Sequence, residues 1–305
     1  MRGSISSLCE HPHGCRVVQR ALMVTTPTRR NDMIYELLQL DLANGNPDAV
    51  VRACSRDAHA THVLQKAVQL LQAGVGHKPT SKEDEGLLSD PPNEMQRSAR
   101  ALEVIETCIE KDAMSMMTHQ QASRLVQRAL GPCDVTSSPR VERMVREVFK
   151  NMDALAIHQN GNFVLQHILE FGDATQRATI QAYACLNAVR LAMHKFGSHL
   201  VEKCLACATP LQVAAIVDRF LLPPPPDMIL EFRMDEADAA MALPLLMSDA
   251  YANFVVQKAF DVSRGETRLK LSKEIRLRTV TLSKFSCEFS WWCVVSALTS
   301  DFCTG

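Results

Sequence analysis

Six nine-residue stretches of this chain lie over one another without a gap: GCRVVQRAL (14–22), ATHVLQKAV (60–68), ASRLVQRAL (122–130), GNFVLQHIL (161–169), GSHLVEKCL (197–205) and ANFVVQKAF (252–260). Each opens on Gly or Ala, and its sixth residue is Gln or Glu: Gln19, Gln65, Gln127, Gln166, Glu202 and Gln257. These residues recur at intervals of 46, 62, 39, 36 and 55. A unit returning at such a period cannot close a core alone and must stack on its neighbours.

The material between the stretches says what the units are made of. NDMIYELLQLDLA (31–43), ALEVIETCIEKDAMSMM (101–117) and VERMVREVFKNMDALAIH (141–158) space apolar residues three and four apart, which predicts amphipathic helices. Aromatics are only 5% of the chain, which favours helix over sheet. The longer intervals hold insertions. GHKPTSKEDEGLLSDPPNE (76–94) reads as an exposed acidic loop, GPCDVTSSPR (131–140) as a turn-rich linker, and LLPPPPDM (221–228) as a stiff extended connection. The expected fold is an all-α solenoid.

Within each stretch a helix puts Val17, Val18, Ala21 and Leu22 on one face, and likewise Val164, Leu165, Ile168 and Leu169; these are expected in the core. A second face carries a trio that is expected to point outward. Its outer pairs are Cys15/Gln19, Thr61/Gln65, Ser123/Gln127, Asn162/Gln166, Ser198/Glu202 and Asn253/Gln257. The residue between is Arg16, His62, Arg124, Phe163, His199 or Phe254, each of them flat. Flat groups at regular spacing suit unstacked nucleic-acid bases, which lie between them, while amides, hydroxyls and a carboxylate match base edges. Glu202 can accept both N–H groups on the edge of guanine, and Asn162 with Gln166 can match uracil. The following residue is Arg20, Lys66, Arg128, Lys203 or Lys258 in five stretches and His167 in the other, giving a cationic stripe for phosphates.

Composition removes other classes. The net charge of -1 advertises no global basic field, although a stripe can hide in a neutral total. The eleven cysteines lack metal-site spacing, and Cys54, Cys108, Cys185 and Cys204 sit among apolar letters as expected buried thiols. His11, His59, His119, His158 and His194 precede the stretches and are expected to shape the turn into the helix rather than hold metal. Ser198, His199 and Glu202 do not form a hydrolase triad, because serine and histidine are helix neighbours with no oxyanion loop. No apolar run is long enough to span a bilayer and no secretory leader is visible. No catalytic residue, cofactor or metal is expected, and the chain is not expected to be an enzyme.

HGCRVVQRAL, QASRLVQRAL, HQNGNFVLQHILEFG, HKFGSHLVEKCLACA and DAYANFVVQKAFDV resemble, in order, the third, fifth, sixth, seventh and eighth repeats of the Pumilio (PUF) family of single-stranded RNA-binding proteins, with ATHVLQKAV in the fourth place. The resemblance implies a curved, right-handed solenoid of three-helix repeats over residues 1–286, with the trio on each second helix facing RNA on the concave side. It implies antiparallel reading of 5′-UGUANA-3′: Asn253/Gln257 for U, Ser198/Glu202 for G, Asn162/Gln166 for U, Ser123/Gln127 for A, Thr61/Gln65 left open, and Cys15/Gln19 for A. It further implies a cytoplasmic monomer acting on 3′-UTR elements of mRNA, with deadenylase or translational repressor proteins as partners. A nucleolar binder of precursor RNA and an armadillo- or HEAT-like protein scaffold are the alternatives. Two departures stand out. The first two family repeats have no counterpart, and Met1–Ser7 looks too short to supply the helix expected before EHPHGCRVVQ, which points to a fragment or a misassigned start. Residues 287–305, with two adjacent tryptophans, are unlike the rest and are expected to be a gene-model artefact.

Overall fold

The computed structural model describes residues 3–75, 91–131, 138–232, 234 and 238–282. Among them every extended element is a helix, and the helices fall into six triplets of short, second and third members. The first four triplets are α1 (Ile5–Glu10), α2 (Gly14–Val24) and α3 (Pro27–Leu38); α4 (Pro47–Arg56), α5 (Ala60–Gly74) and α6 (Pro92–Lys111); α7 (Ala113–Thr118), α8 (Ala122–Leu130) and α9 (Pro139–Lys150); and α10 (Met152–Ala156), α11 (Asn162–Phe171) and α12 (Ala174–Leu186). The fifth is α13 (Ala188–Ala192), α14 (Gly197–Cys207) and α15 (Pro210–Leu221). An inserted helix, α16 (Pro226–Glu231), precedes the sixth: α17 (Leu243–Ser248), α18 (Ala252–Val262) and α19 (Gly265–Leu282). All six repeated stretches are second helices.

The chain forms two compact units, Met1–Asp173 and Ala174–Gly305. In the first, second helices pack on second helices (α2 on α5, α5 on α8, α8 on α11) and third on third (α3 on α6, α6 on α9). In the second, α14 packs on α18, while α12, α15 and α19 follow one another. Apolar faces thus meet between layers, with Leu64, Leu71, Ile105, Ile109 and Met116 fully enclosed in the first unit and Val201, Ile216, Phe220 and Val256 in the second. Ion pairs cross neighbouring repeats in the first unit. They link Arg97 to Asp32, Lys111 to Asp48, Arg56 to Asp112, Arg140 to Glu103 and Arg143 to Glu110. Exposed pairs of this kind contribute about 0–1 kcal/mol each, so the layers are held chiefly by the buried faces.

Several boundaries differ from expectation, each for a local reason. The helix expected at 31–43 runs over 27–38. It starts early because Thr26 Oγ1 accepts the Arg29 N–H just before Pro27, and it ends at Gln39, which adopts the left-handed conformation (φ 56°). A β-carbon on Gly45 would lie 2.1 Å from the Gln39 carbonyl oxygen, so only glycine lets the chain turn back there. The stretches 101–117 and 141–158 each break in two. Asn151 ends α9 by donating its amide to the Glu147 carbonyl oxygen, and Asp112, paired with Arg56, separates α6 from α7. Pro92, Asn93 and Glu94, assigned to the acidic loop, open α6 instead; Glu94 accepts from Asn31 and pairs with Arg97. The rest of that loop through residue 90, including SKEDE, lies outside the described residues, as do 132–137 of the linker and 287–305 of the tail. The proline run behaves as expected at 222–225, but the helix resumes at Pro226, whose missing N–H costs nothing in a first turn.

Two further expectations are corrected. Residues 5–10 do supply a helix before EHPHGCRVVQ: α1 packs on α2 and buries Ile5 and Cys9. Val17, expected in the core, is 50% exposed, whereas its counterparts Val63, Leu125, Val164, Leu200 and Val255 are fully buried. Among the described second helices α2 has a neighbour, α5, on one side only, and Met23 and Val24 share its open flank. Ala21 is half-buried on the same helix. Replacing Val63 by Ala should therefore cost about 2 kcal/mol, from lost burial and a residual cavity. Replacing Val17 by Ala should cost under about 0.5 kcal/mol. Urea midpoints of the two variants measure the contrast, and equal losses would place Val17 in a packed layer after all.

Candidate nucleic-acid interface

Every second helix starts on the same device. His11 Nδ1 accepts the backbone N–H groups of His13 and Gly14 at 3.2 and 3.1 Å, and His119, His158 and His194 repeat the pattern on Gln121 and Ala122, Asn160 and Gly161, and Phe196 and Gly197. In the other two repeats Asp57 Oδ1 accepts from His59 and Ala60, and Asp249 Oδ1 accepts from Tyr251 and Ala252. Four of the five upstream histidines thus shape the turn as expected, each accepting on Nδ1 and so carrying its neutral-ring proton on Nε2. His59 does not: it lies two residues late, and Asp57 takes the position. The device satisfies donors that a helix start leaves open and sets where the next turn points.

The trios are not uniformly outward. Their first members, Cys15, Thr61, Ser123, Asn162, Ser198 and Asn253, are 0–7% exposed. Most are turned back onto the preceding turn: Cys15 Sγ donates to the Pro12 carbonyl, Ser123 to that of Gln120 and Ser198 to that of Lys195. Asn162 donates to the carbonyls of His158 and Gln159, and Asn253 to those of Asp249 and Ala250. A short polar side chain near a helix start bonds locally before it reaches solvent, which is why the outward expectation failed for this position.

The second members reach the surface, half-exposed in all six repeats. Three are oriented by the first: Gln65 donates to Thr61 Oγ1 at 3.2 Å, Gln166 to Asn162 Oδ1 at 2.8 Å and Gln257 to Asn253 Oδ1 at 3.1 Å. In the third repeat of the first unit, Arg124 donates to Gln127 Oε1, and the buried Gln127 Nε2 has no partner. Glu202 lies 3.9 Å from His199 on the same helix.

The flat middle residues are the exposed ones, apart from Phe163, which is half-buried; Phe254 is 54% exposed. In the first unit they meet in neighbouring pairs. Arg16 and His62 line one cleft together with Cys15 and Gln19, and the Arg124 guanidinium sits 4.8 Å from the centre of the Phe163 ring. In the second unit His199 and Phe254 lie on α14 and α18, which pack side by side. Of the cationic stripe, Arg20 is exposed and Lys66, Arg128, Lys203 and Lys258 are half-buried. His167 is different: burial pushes it below the usual imidazole value, towards the neutral ring, and its Nε2 donates to the Gly131 carbonyl at 2.9 Å.

The remaining thiols follow burial. Cys54, Cys108 and Cys204 are buried as expected, and burial raises all three thiols, Cys54 to about 11. Cys185 is only half-buried, a departure from expectation.

A sequence model described as "Pumilio-family RNA binding repeat" matches residues 4–38, 113–135, 151–181, 187–220 and 244–276, just over half of the chain. The chain belongs to the Pumilio family. The matched segments fall in five of the six triplets, leaving α9 outside them; the triplet from α4 to α6, which caps with Asp57, has none. Pumilio homolog 8 of Arabidopsis thaliana is 25% identical over 286 residues, 94% of this chain and 45% of the relative. Fem-3 mRNA-binding factor 2 of Caenorhabditis elegans is 26% identical over 264 residues, 83% of this chain and 36% of that protein. The chain thus spans less than half the length of these curated relatives. The crystal structure of PUF-8 in complex with PBE-RNA shares the fold, with a TM-score of 0.67 at 22% identity, covering 98% of this chain and 71% of that one.

The cap predicts a measurable asymmetry. Hydrogen bonds from the backbone of Ala60, and then of His59, hold the Asp57 carboxyl below its usual value. A depressed carboxylate contributes stability that is complete above the unfolded value, about 4, and is lost as pH falls through the lower folded value. Asp57→Ala should thus lower stability by about 1 kcal/mol at neutral pH. The gap to the unaltered chain should close on acidification, as read by urea unfolding at several pH values; a gap that persists in acid would show that Asp57 acts other than as a carboxylate cap.

Proposed function

We propose that this chain binds single-stranded RNA sequence-specifically, one base per repeat, with a core of 5′-UGUANA-3′. The observation that carries the reading is the common register: six half-exposed Gln or Glu side chains stand at the same turn of six second helices, each following a flat residue three positions earlier. A base laid against the flat residue presents its edge to the Gln or Glu, and in three repeats the buried Thr61, Asn162 or Asn253 orients that side chain. Asn253/Gln257 and Ser198/Glu202, in the unit of Ala174–Gly305, read the first U and the G. Asn162/Gln166 and Ser123/Gln127, in the unit of Met1–Asp173, read U and A, with Thr61/Gln65 permissive and Cys15/Gln19 reading the last A.

Arg20, Lys66, Arg128, Lys203 and Lys258 supply salt-dependent attraction for the phosphates. The same proposal extends to a role in controlling message stability or translation in the cytoplasm, with deadenylase or repressor partners; membership of the family and likeness to the mRNA-binding factor named above support its RNA-binding part.

Anisotropy titration at fixed salt tests the reading. UGUAAA should bind in clear preference to ACAAAA, with affinity falling steeply as salt rises. Ser198→Asn with Glu202→Gln should move the second base from G to U. Asn162 and Asn253 show how the new amide fits, donating to carbonyls three and four residues back. A double variant that keeps its preference for G would overturn the register. Loss of one base-edge bond should weaken binding by about 1 kcal/mol, roughly fivefold.

A further inference from the structure

Of four clefts lined by described residues of the unit Met1–Asp173, three carry carboxylates on their walls. Asp48 lines one, Glu110, Asp112 and Glu147 another, and Asp32, Glu36 and Asp41 the third. The fourth, about 500 Å³ at the N-terminal ends of α2 and α5, has no acidic residue in its lining. Its walls are His13, Cys15, Arg16 and Gln19 from one repeat and His59 and His62 from the next. Base reading uses Cys15, Arg16, Gln19 and His62. It makes no use of two imidazoles, His13, whose ring centre stands 5.8 Å from that of His11, and His59.

Both stand two residues before the first member of their trio, inside the turn that caps the helix. Their backbone N–H groups donate to His11 Nδ1 and Asp57 Oδ1, which fixes where the rings emerge. Elsewhere the same position is used differently: Asn160 donates to the Thr118 carbonyl of the preceding repeat, and Phe196 lies beneath the Lys195 ammonium. Only between these two repeats do both turns send an imidazole to one cleft. Asp57, the acid that acts on His59, keeps Oδ1 on the two N–H groups of the helix start.

A base held between Arg16 and His62 turns its edge to Cys15 and Gln19. The two imidazoles lie beyond Cys15, on the N-terminal side of the same cleft. Imidazole N–H groups beside a guanidinium, with no carboxylate on the wall, form a donor set for an anionic oxygen. We propose that His13 and His59, together with Arg16, bind a phosphate flanking the sixth nucleotide of the RNA. The inference rests on the base-reading register above and adds, at this slot, a pair of imidazoles to the cationic residues already assigned to phosphate. Affinity for the 3′ end of the site then comes from phosphate as well as from the base.

The test uses the full chain and the heptamer UGUAAAA, in anisotropy titrations at fixed salt. Two further heptamers carry a neutral methylphosphonate at one or the other linkage flanking the sixth nucleotide. One of them should bind the unaltered chain about tenfold more weakly, the worth of a hydrogen bond to a charged group. His13→Gln with His59→Gln should weaken the all-phosphate heptamer by a similar factor and be indifferent to the modification. The same double variant should bind the tetramer UGUA as the unaltered chain does, which a general loss of folding would not allow. Insensitivity of the unaltered chain at both linkages, or equal sensitivity in the double variant, overturns the phosphate contact alone. No preference for UGUAAAA over ACAAAAA sinks the base reading, and the phosphate contact with it.

Discussion

The hydrogen bond from the N-terminal amides of each second helix to a side chain four residues before the trio is the constraint from which the rest follows. It is made by imidazole in four repeats and carboxylate in two, which are the same solution to one problem: open N–H donors at a turn too tight for water to serve well. Once the turn is pinned, the first trio residue must face back into it, the flat residue must face out, and the Gln or Glu must stand one turn further on. The register is thus a property of the cap before it is a property of any ligand.

Packing carries that register along the chain. Second helices meet second helices through faces such as Val63 and Leu64 or Val164 and Leu165, so the outward faces of neighbours are brought side by side. Within each unit third helices pack on third helices, and three of them are opened by Thr26–Pro27, Ser138–Pro139 and Thr209–Pro210, whose hydroxyls accept the N–H three residues on. That hydroxyl–proline start is a sequence signal in its own right, and it explains why these helices begin earlier than apolar spacing alone shows. Gln72 and His167 then join repeats end to end, donating to the carbonyls of Arg128, Ala129 and Gly131 that the end of α8 leaves open.

The slots between flat residues differ without RNA. Arg16 and His62 line a common cleft, while the Arg124 guanidinium rests on the Phe163 ring, closer than the two stacking distances that a sandwiched base needs. Entry of a base there exchanges a cation–π contact for two stacking contacts, so part of the binding energy is already balanced in the free protein. Gln166 and Gln257 are held by the asparagines before them, and their amides are preorganised in a way that Gln127, with its unpartnered nitrogen, is not.

The repeat, its helical nature and the exposure of the flat and amide members of the trio were legible in the letters, because they depend on side-chain type and spacing along one helix, which are local. The family, and with it the placement of the trio on the second of three helices, came by resemblance. Tertiary structure decided the rest. The burial of Cys15, Ser123 and Asn162 depends on competition between solvent and the carbonyls of the preceding turn, and Asp57 in place of His59 is visible only once the turn closes around it. The exposure of Val17 depends on which faces find a neighbour, and the meeting of His13 with His59 depends on how two turns 46 residues apart come together. Spacing along a chain sets which side chains share a face; only packing between chain-distant faces sets what each of those side chains can still touch.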